Sequence, residues 1–247
     1  MTFAILADIH GNSAALRAVL SDMRDLGIKE AVNLGDHFSG PLDAAGTAEI
    51  LMGLEMPSIL GNHDRWLIEM APEDMYASDR VAFDQLGEAE LEWLRAQPGT
   101  LRYSEEVFLC HGAPASDTQY WLERVDENGA VRPATLAEIE REAEGIDASL
   151  ILCGHTHMPR AVRLAEGRMI VNPGSIGCPG YDDDTPVFHI VQNGTPNASY
   201  AIADKTAHGW LITHRSVPYD TAPMVAMAEA HGRDEWARAL ATGWLEA

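Results

Sequence analysis

The stretch TFAILADIHGNSAALRAVLSDMRDLG, residues 2–27, changes periodicity halfway along. Thr2 to Ala7 is a short apolar run that ends at Asp8, the pattern of a buried strand. From Ala15 onward the apolar residues Leu16, Val19, Leu20, Met23 and Leu26 recur at helical spacing on one face, and Gly27 stops the helix. Between them lies a polar loop, Asp8-Ile9-His10-Gly11-Asn12. The unit repeats: Ala31–Leu34 and Ser58–Leu60 flank a helical stretch, Leu42–Leu54, so the chain opens β-α-β-α-β. That alternation predicts a parallel sheet with helices packed on it.

Working outward, a helix is expected over Arg80–Ala96, then a hairpin of Thr100–Tyr103 with Val107–Cys110. An acidic helix follows at Leu136–Glu144, and strands at Leu150–Cys153, Ala161–Leu164 and Met169–Val171. Pro186–Val191, Ser199–Ala203 and Trp210–Val217 read as three consecutive strands of an antiparallel meander. The tail from Thr221 to Trp244 reads as one or two helices broken near Gly232, packing on the sheet or mediating a homo-oligomer. No repeat or linker interrupts the order, so one domain over residues 1–247 is expected, with 221–247 as a helical tail. The fold class is α/β, a four-layer α/β/β/α sandwich of two mixed sheets with outer helices.

The composition narrows the function. The chain has 247 residues, 46% hydrophobic and 22% charged, enough to bury a full core. With 17 Lys and Arg against 38 Asp and Glu, its formal charge is −21. Such a field repels polyphosphate backbones, which argues against a nucleic-acid polymer as partner. No apolar run is long enough for a membrane helix, and the N-terminus lacks the basic flank and cleavage site of a signal peptide; a cytoplasmic protein without a membrane partner is expected. Three cysteines, Cys110, Cys153 and Cys178, do not form a disulfide framework and are expected to be reduced, and Cys110 and Cys153 read as buried strand residues.

The chemically demanding residues fall where the apolar runs end. Asp8 and His10 follow the first strand, Gly35-Asp36 the second and Gly61-Asn62-His63-Asp64 the third; Cys110-His111-Gly112 and Gly154-His155-Thr156-His157 follow two later ones. Ligands of α/β sheets bind beyond the carboxyl ends of the strands, so these loops converge on one site. Each piece alone reads as a turn, a cap or a buried histidine. Five together, with alternate residues of His-Thr-His projecting the same way, point to metal. Asp, His and Asn without thiolate suit Mn, Fe, Zn, Ni or Co, and the number of ligands is sufficient for two ions sharing a carboxylate.

In this order the motifs Asp-x-His, Gly-Asp, Gly-Asn-His-Asp, an isolated His and Gly-His-Thr-His resemble those of the calcineurin-like metallophosphoesterase superfamily, and Asn172-Pro173-Gly174-Ser175 extends the likeness. The order and spacing resemble the compact bacterial and archaeal phosphodiesterase-type members. The resemblance implies a metallophosphoesterase-like fold and two divalent transition-metal ions, with manganese first and iron, nickel, zinc or cobalt as alternatives. It implies that Asp8, His10 and His157 hold one ion, that Asn62, His111 and His155 hold the other, and that Asp36 bridges them. A metal-bridging hydroxide then attacks phosphorus, His63 protonates the leaving oxygen, and Asp64 orients His63.

The chain departs from relatives in two places. The phosphoprotein phosphatases resemble Gly-Asp-x-Val-Asp-Arg-Gly where this chain has Gly35-Asp-His-Phe-Ser-Gly-Pro41, so a phosphate-gripping arginine is missing; a second expected arginine is absent at Cys178-Pro179-Gly180. Arg65 and Arg160 stand beside motif residues and are the candidates to compensate. His37 is placed to line the pocket; His189 reads as a strand residue, Asp182 to Asp184 as a solvated turn, and Trp66, Tyr120 and Trp121 as packing residues or base-stacking platforms. The leading expectation is a dinuclear phosphodiesterase acting on a small phosphoester. A phosphomonoesterase, on phosphoprotein or dinucleoside polyphosphate, is the alternative within enzymes, and a non-catalytic metal-binding scaffold the alternative of another class.

Overall fold

The computed structural model describes residues 1–245; the expected helical tail also covers 246 and 247, which lie outside the described residues. Its first strand, β1 (Thr2–Leu6), is apolar and buried from Phe3 onward because both of its faces are covered there. Phe3 and Ile5 enter the core between two sheets, whereas Ala4 and Leu6 point the other way, onto the helix α1 (Ser13–Asp25). The side chain of Asn12 caps α1 by accepting from the Ala15 amide, and Gly27, at a φ of +74°, follows its end.

Next come β2 (Ala31–Asn33) and α2 (Ala44–Met52). The expected third strand is reduced to one parallel bridge, Asn33 with Ser58, because the chain turns at Gly61 into α3 (Asn62–Glu69), a helix the motif reading had treated as loop. The helix expected over Arg80–Ala96 is two helices, α4 (Ala77–Phe83) and α5 (Glu88–Arg95). The amide of Gly87 donates to the Glu90 carboxylate as a cap bond, so a new helix starts there instead of continuing the old one.

The second half supplies β3 (Leu101–Ser104), β4 (Val107–Leu109), β5 (Glu123–Val125), β6 (Val131–Pro133), α6 (Leu136–Glu142), β7 (Leu150–Leu152), β8 (Arg160–Arg163) and β9 (Met169–Asn172). Then follow β10 (Gly180–Asp183), β11 (His189–Gln192), β12 (Ala198–Thr206), β13 (Gly209–Val217), α7 (Ala222–Ala230) and α8 (Asp234–Thr242). One sheet has the order β13-β12-β1-β2, with β1 parallel to β2 and antiparallel to β12; the other has the order β3-β4-β7-β9-β8, with β4, β7 and β9 parallel and antiparallel edges.

The three-strand meander is therefore corrected. β11 pairs with β10, while β12 crosses to the open edge of β1 and pairs with β13 on its other side. Likewise Asp182 and Asp183 belong to β10 and not to a turn.

The sheets face one another. Phe3, Ile5, Val32 and Leu34 of one meet Val107, Leu109, Leu150 and Leu152 of the other, all buried. The outer face of the first sheet is covered by α1 and α2 through Leu16, Val19, Ala48 and Leu51, and that of the second by α6 through Ile139 and Ala143 against Ile151 and Ile170. Two mixed sheets between helical layers make the four-layer α/β/β/α sandwich. The α7–α8 hairpin packs Met224, Ala228, Ala237 and Leu240 on Leu42 and Ala14, beside the ends of β1 and β2. Among the described residues no helix is long and apolar enough to cross a membrane.

Candidate metal centre

The loops leaving β1, β2, β4 and β7 meet at one end of the sandwich and are sewn together by backbone bonds. The amides of Asp8 and His10 donate to the carbonyls of Gly35 and Asp36, and the Gly154 amide donates to the carbonyl of His111. The Asn-Pro-Gly-Ser motif holds this frame. Asn172 donates its side-chain amide to the Gly154 carbonyl, and Ser175 its hydroxyl to the Asp8 carbonyl.

Asp8, His10, Asp36, His155 and His157 all adopt left-handed backbone, with φ between 50° and 68°, and are the non-glycine residues with positive φ among the described residues. That conformation costs energy for a side chain with a Cβ, and its concentration here marks a site whose geometry overrides local preference. Gly61 approaches the site closely: a Cβ there would lie 2.1 Å from Oδ1 of Asp36.

Two clusters result. Asp8, His10 and His157 bring one donor atom each within 4.8 Å of one another, and so do Asp36, His111 and His155. Asp36 Oδ2 lies 3.2 Å from His111 Nε2 and 3.7 Å from His10 Nε2, so its carboxylate reaches both clusters. Asn62 Oδ1 is 3.1 Å from His111 Nε2, on the side of the second cluster. Apart from His155, which is half-buried, these side chains are buried.

The tautomers are set from behind. A backbone carbonyl can only accept, so each ring nitrogen facing one carries hydrogen: Nδ1 of His10 to Ser39, Nδ1 of His111 to Leu34, Nδ1 of His157 to Cys178 and Nε2 of His155 to Thr118, at 2.7 to 3.0 Å. The other nitrogen of each neutral ring is then a lone pair, and for His10, His111 and His157 it is turned on the carboxylates. This donor set fits two divalent cations.

The electrostatics make the same demand. Burial holds His10 at about 4 and His155 at about 3, neutral as ligands must be. Burial, joined by the charge of Asp36 and opposed by His111, pushes Asp8 up to about 8. For His111 burial disfavours charge, yet Asp36 and Asp8 outweigh it and lift the ring to about 10. The pocket draws in positive charge. The three cysteines are buried, and burial raises their thiols, which keeps them out of the ligand set.

His63 stands in the first turn of α3 at the rim, its side chain 29% exposed and its ring 5.5 Å from that of His10. The expected orienting role of Asp64 is not what the geometry provides. Asp64 is wholly buried, and its oxygens accept from the amides of Asp36, His37 and Gly61 and from the His37 ring. It fastens the Asp36 loop to α3. Nδ1 of His63 instead lies 2.7 Å from Oδ1 of Asp79 on α4, which no motif spacing had flagged. Burial opposes charge on His63, but Asp79 and Asp36 together raise it to about 9.

The remaining candidates separate cleanly. His37 is buried against Trp93 and does not line a pocket. Arg65 lines a cavity of about 660 Å³ with His111 but is held by both oxygens of Asp117, and Arg160 is held by the Leu122 carbonyl and Glu123. Nδ1–H of His189 donates to the Val187 carbonyl, so its Nε2 accepts from the Tyr120 hydroxyl, and Tyr120 packs edge-on against His155. Trp121 is a core residue whose indole N–H donates to Ile139, whereas Trp66 lies edge-on to His63 and against the exposed Tyr76. Trp236 of α8 packs on His10, a wall that came from the tail and was not anticipated.

Two His/Asp clusters bridged by one carboxylate, at the strand ends of a four-layer sandwich, define a metal-dependent hydrolase. The profile of the calcineurin-like phosphoesterase superfamily domain matches residues 1–195. The chain is 25% identical over 224 residues to an uncharacterised protein of Methanocaldococcus jannaschii, covering 82% of each chain. Its fold is similar to that of a metallophosphoesterase from Sphaerobacter thermophilus, with a TM-score of 0.76, 25% identity and coverage of 99% and 100%. It is also similar in fold to a hypothetical protein of Pyrococcus horikoshii, with a TM-score of 0.74, 19% identity and coverage of 98% of each. The chain belongs to the calcineurin-like phosphoesterase superfamily and is a phosphoester hydrolase.

Proposed function

We propose that the protein hydrolyses a small phosphodiester, using Asp8, His10 and His157 for one divalent ion, Asn62, His111 and His155 for the other, and Asp36 for both. The observation that carries this reading is the set of four imidazoles whose N–H groups are spent on backbone carbonyls. Ions held there supply Lewis-acid charge for the phosphoryl oxygens and a source of hydroxide near neutral pH. The chain's own part is to fix the donors, keep His10, His155 and His157 neutral by burial, and place His63 at the rim, where its Nε2–H can be given to the departing oxygen.

A diester is favoured over a monoester because the two arginines beside the motifs are already neutralised by Asp117 and Glu123. A monoester dianion calls for an additional free cation; a diester monoanion does not. Manganese is the first metal to try, with iron, nickel, zinc and cobalt as alternatives that the oxygen and nitrogen donors accept equally, and the net charge of −21 favours a small cytoplasmic substrate over a nucleic-acid polymer. Turnover of bis-nitrophenyl phosphate, nitrophenyl phosphate and a dinucleoside tetraphosphate by the metal-loaded protein tests the choice. Preference for the first is expected; exclusive turnover of the monoester overturns it.

A further inference from the structure

Asp79 has no assigned part in the reaction, yet its surroundings leave it one use. The residue is wholly buried, one oxygen meets His63 Nδ1 at 2.7 Å, and among the described residues the other oxygen has no hydrogen-bond partner. A buried carboxylate with a single partner is costly unless that partner carries positive charge or donates firmly. Asp79 also sits on its own element. α4 is separated from α3 by the 3-10 turn Pro72–Asp74, so the contact with His63 is tertiary and follows from how α4 is held.

The C-terminal hairpin does part of that holding. Nη1 of Arg233, at the junction of α7 and α8, donates to Oγ of Ser78, the residue before Asp79, while Trp236 on the next turn packs on His10. One short segment thus touches both the neighbour of Asp79 and a ring of the metal centre.

We propose that Asp79 is the positioning residue of His63, and that Arg233, through Ser78, clasps α4 so that Asp79 stays against the ring. The inference rests on the reading that His63 protonates the leaving oxygen. Asp79 accepts the Nδ1–H of the imidazolium and thereby aims Nε2–H at the substrate. As the P–O bond breaks, its electron pair remains on the departing oxygen, which takes the Nε2 proton; the Nδ1 proton stays on the now neutral ring, shared with Asp79. A carboxylate rather than an amide is needed because only it stabilises the charged ring before transfer while accepting from Nδ1.

The metal-loaded protein is compared with Asp79→Asn, Arg233→Ala, His63→Ala and the His63/Asp79 double variant, on bis-nitrophenyl phosphate and on a glycerol phosphodiester with an alkoxide leaving group. Asp79→Asn is expected to lower kcat on the alkyl diester about 100-fold or more, with KM and metal content unchanged and the nitrophenyl ester nearly unaffected. It should add nothing to His63→Ala, and Arg233→Ala should show the same selectivity in smaller measure. Equal losses on both esters, or losses additive with His63→Ala, overturn the role of Asp79; an Arg233→Ala variant with wild-type selectivity overturns the clasp. A readout independent of turnover separates this inference from the proposed reaction. In proton NMR of the protein with 15N-labelled histidine, the downfield Nδ1–H resonance of His63 should disappear in Asp79→Ala, which leaves no acceptor at that position, and its persistence there contradicts the pairing even if no diester is a substrate.

Discussion

The Nε2 atoms of His10 and His157 face each other at 3.1 Å, although Nδ1 of each ring already donates to a backbone carbonyl. Neither neutral ring has a proton to offer the other. Two lone pairs at that separation repel unless a cation lies between or beside them; Asp8, whose Oδ1 is 3.6 Å from His157 Nε2, would be a further ligand for it.

Chelation should therefore destabilise the fold. For free metal at about 1,000 times Kd, binding contributes about 4 kcal/mol, on the order of 10 °C in Tm for a chain of this size. Differential scanning calorimetry with and without chelator checks it.

Binding should also release protons at pH 7. Asp8, raised to about 8, and His111, raised to about 10, hold protons at pH 7 that the ions must displace. The apparent affinity should accordingly increase as pH rises through 7 to 8, and the calorimetric enthalpy at pH 7 should vary with the ionisation enthalpy of the buffer. An enthalpy identical in phosphate and Tris contradicts this.

His63→Ala should discriminate between leaving groups. A nitrophenolate departs without help, whereas an alkoxide needs a proton, so loss on an alkyl diester should exceed loss on a nitrophenyl ester by about 100-fold. Equal losses remove His63 from the acid role.

Gly61→Ala tests how closely α3 must approach the bridging carboxylate. The backbone at Gly61 has a φ of −91°, open to any residue, so the effect is purely steric: the new methyl meets Asp36 Oδ1. A destabilisation of about 1–3 kcal/mol and loss of one bound ion are expected, read from urea unfolding and metal analysis.

Far from the site, Asp22 accepts two bonds from Arg215 and one from the Tyr200 hydroxyl, which tie α1 to β12 and β13. The Arg215 bonds hold its carboxyl below the ordinary range. A depressed folded value means that the stabilisation is present above the unfolded value of about 4 and disappears as pH falls through the lower folded one. Asp22→Asn should cost about 1 kcal/mol or less near pH 7, since the pair is partly exposed. The two Tm curves should converge below about pH 3.

The sequence made the site far more legible than the connections around it. Ligands sit directly after apolar runs, and a run ending in Asp or His is visible without knowing what it pairs with; Asp8, Asp36, His111, His155 and His157 are all of this kind. The same runs do not state their partners, so β11 and β12 looked like neighbours and are not. The resemblance pairs Asp64 with His63, but the first turn of α3 points successive side chains in different directions, and Asp64 turns back to the Asp36 loop. Asp79 and Trp236 reach the site only through the packing of α4 and α8, which no local pattern encodes.

The most direct test is to strip the protein with chelator and add back Mn, Ni, Co, Zn or Mg singly. Bound ions per chain and turnover of bis-nitrophenyl phosphate are then followed in wild type and Asp36→Asn. A dinuclear phosphodiesterase binds two ions, turns over with a transition metal, and loses both the second ion and activity in the variant. Full activity with one ion bound, or an Asp36→Asn enzyme that still turns over at the wild-type rate, contradicts the shared carboxylate at the centre of the site.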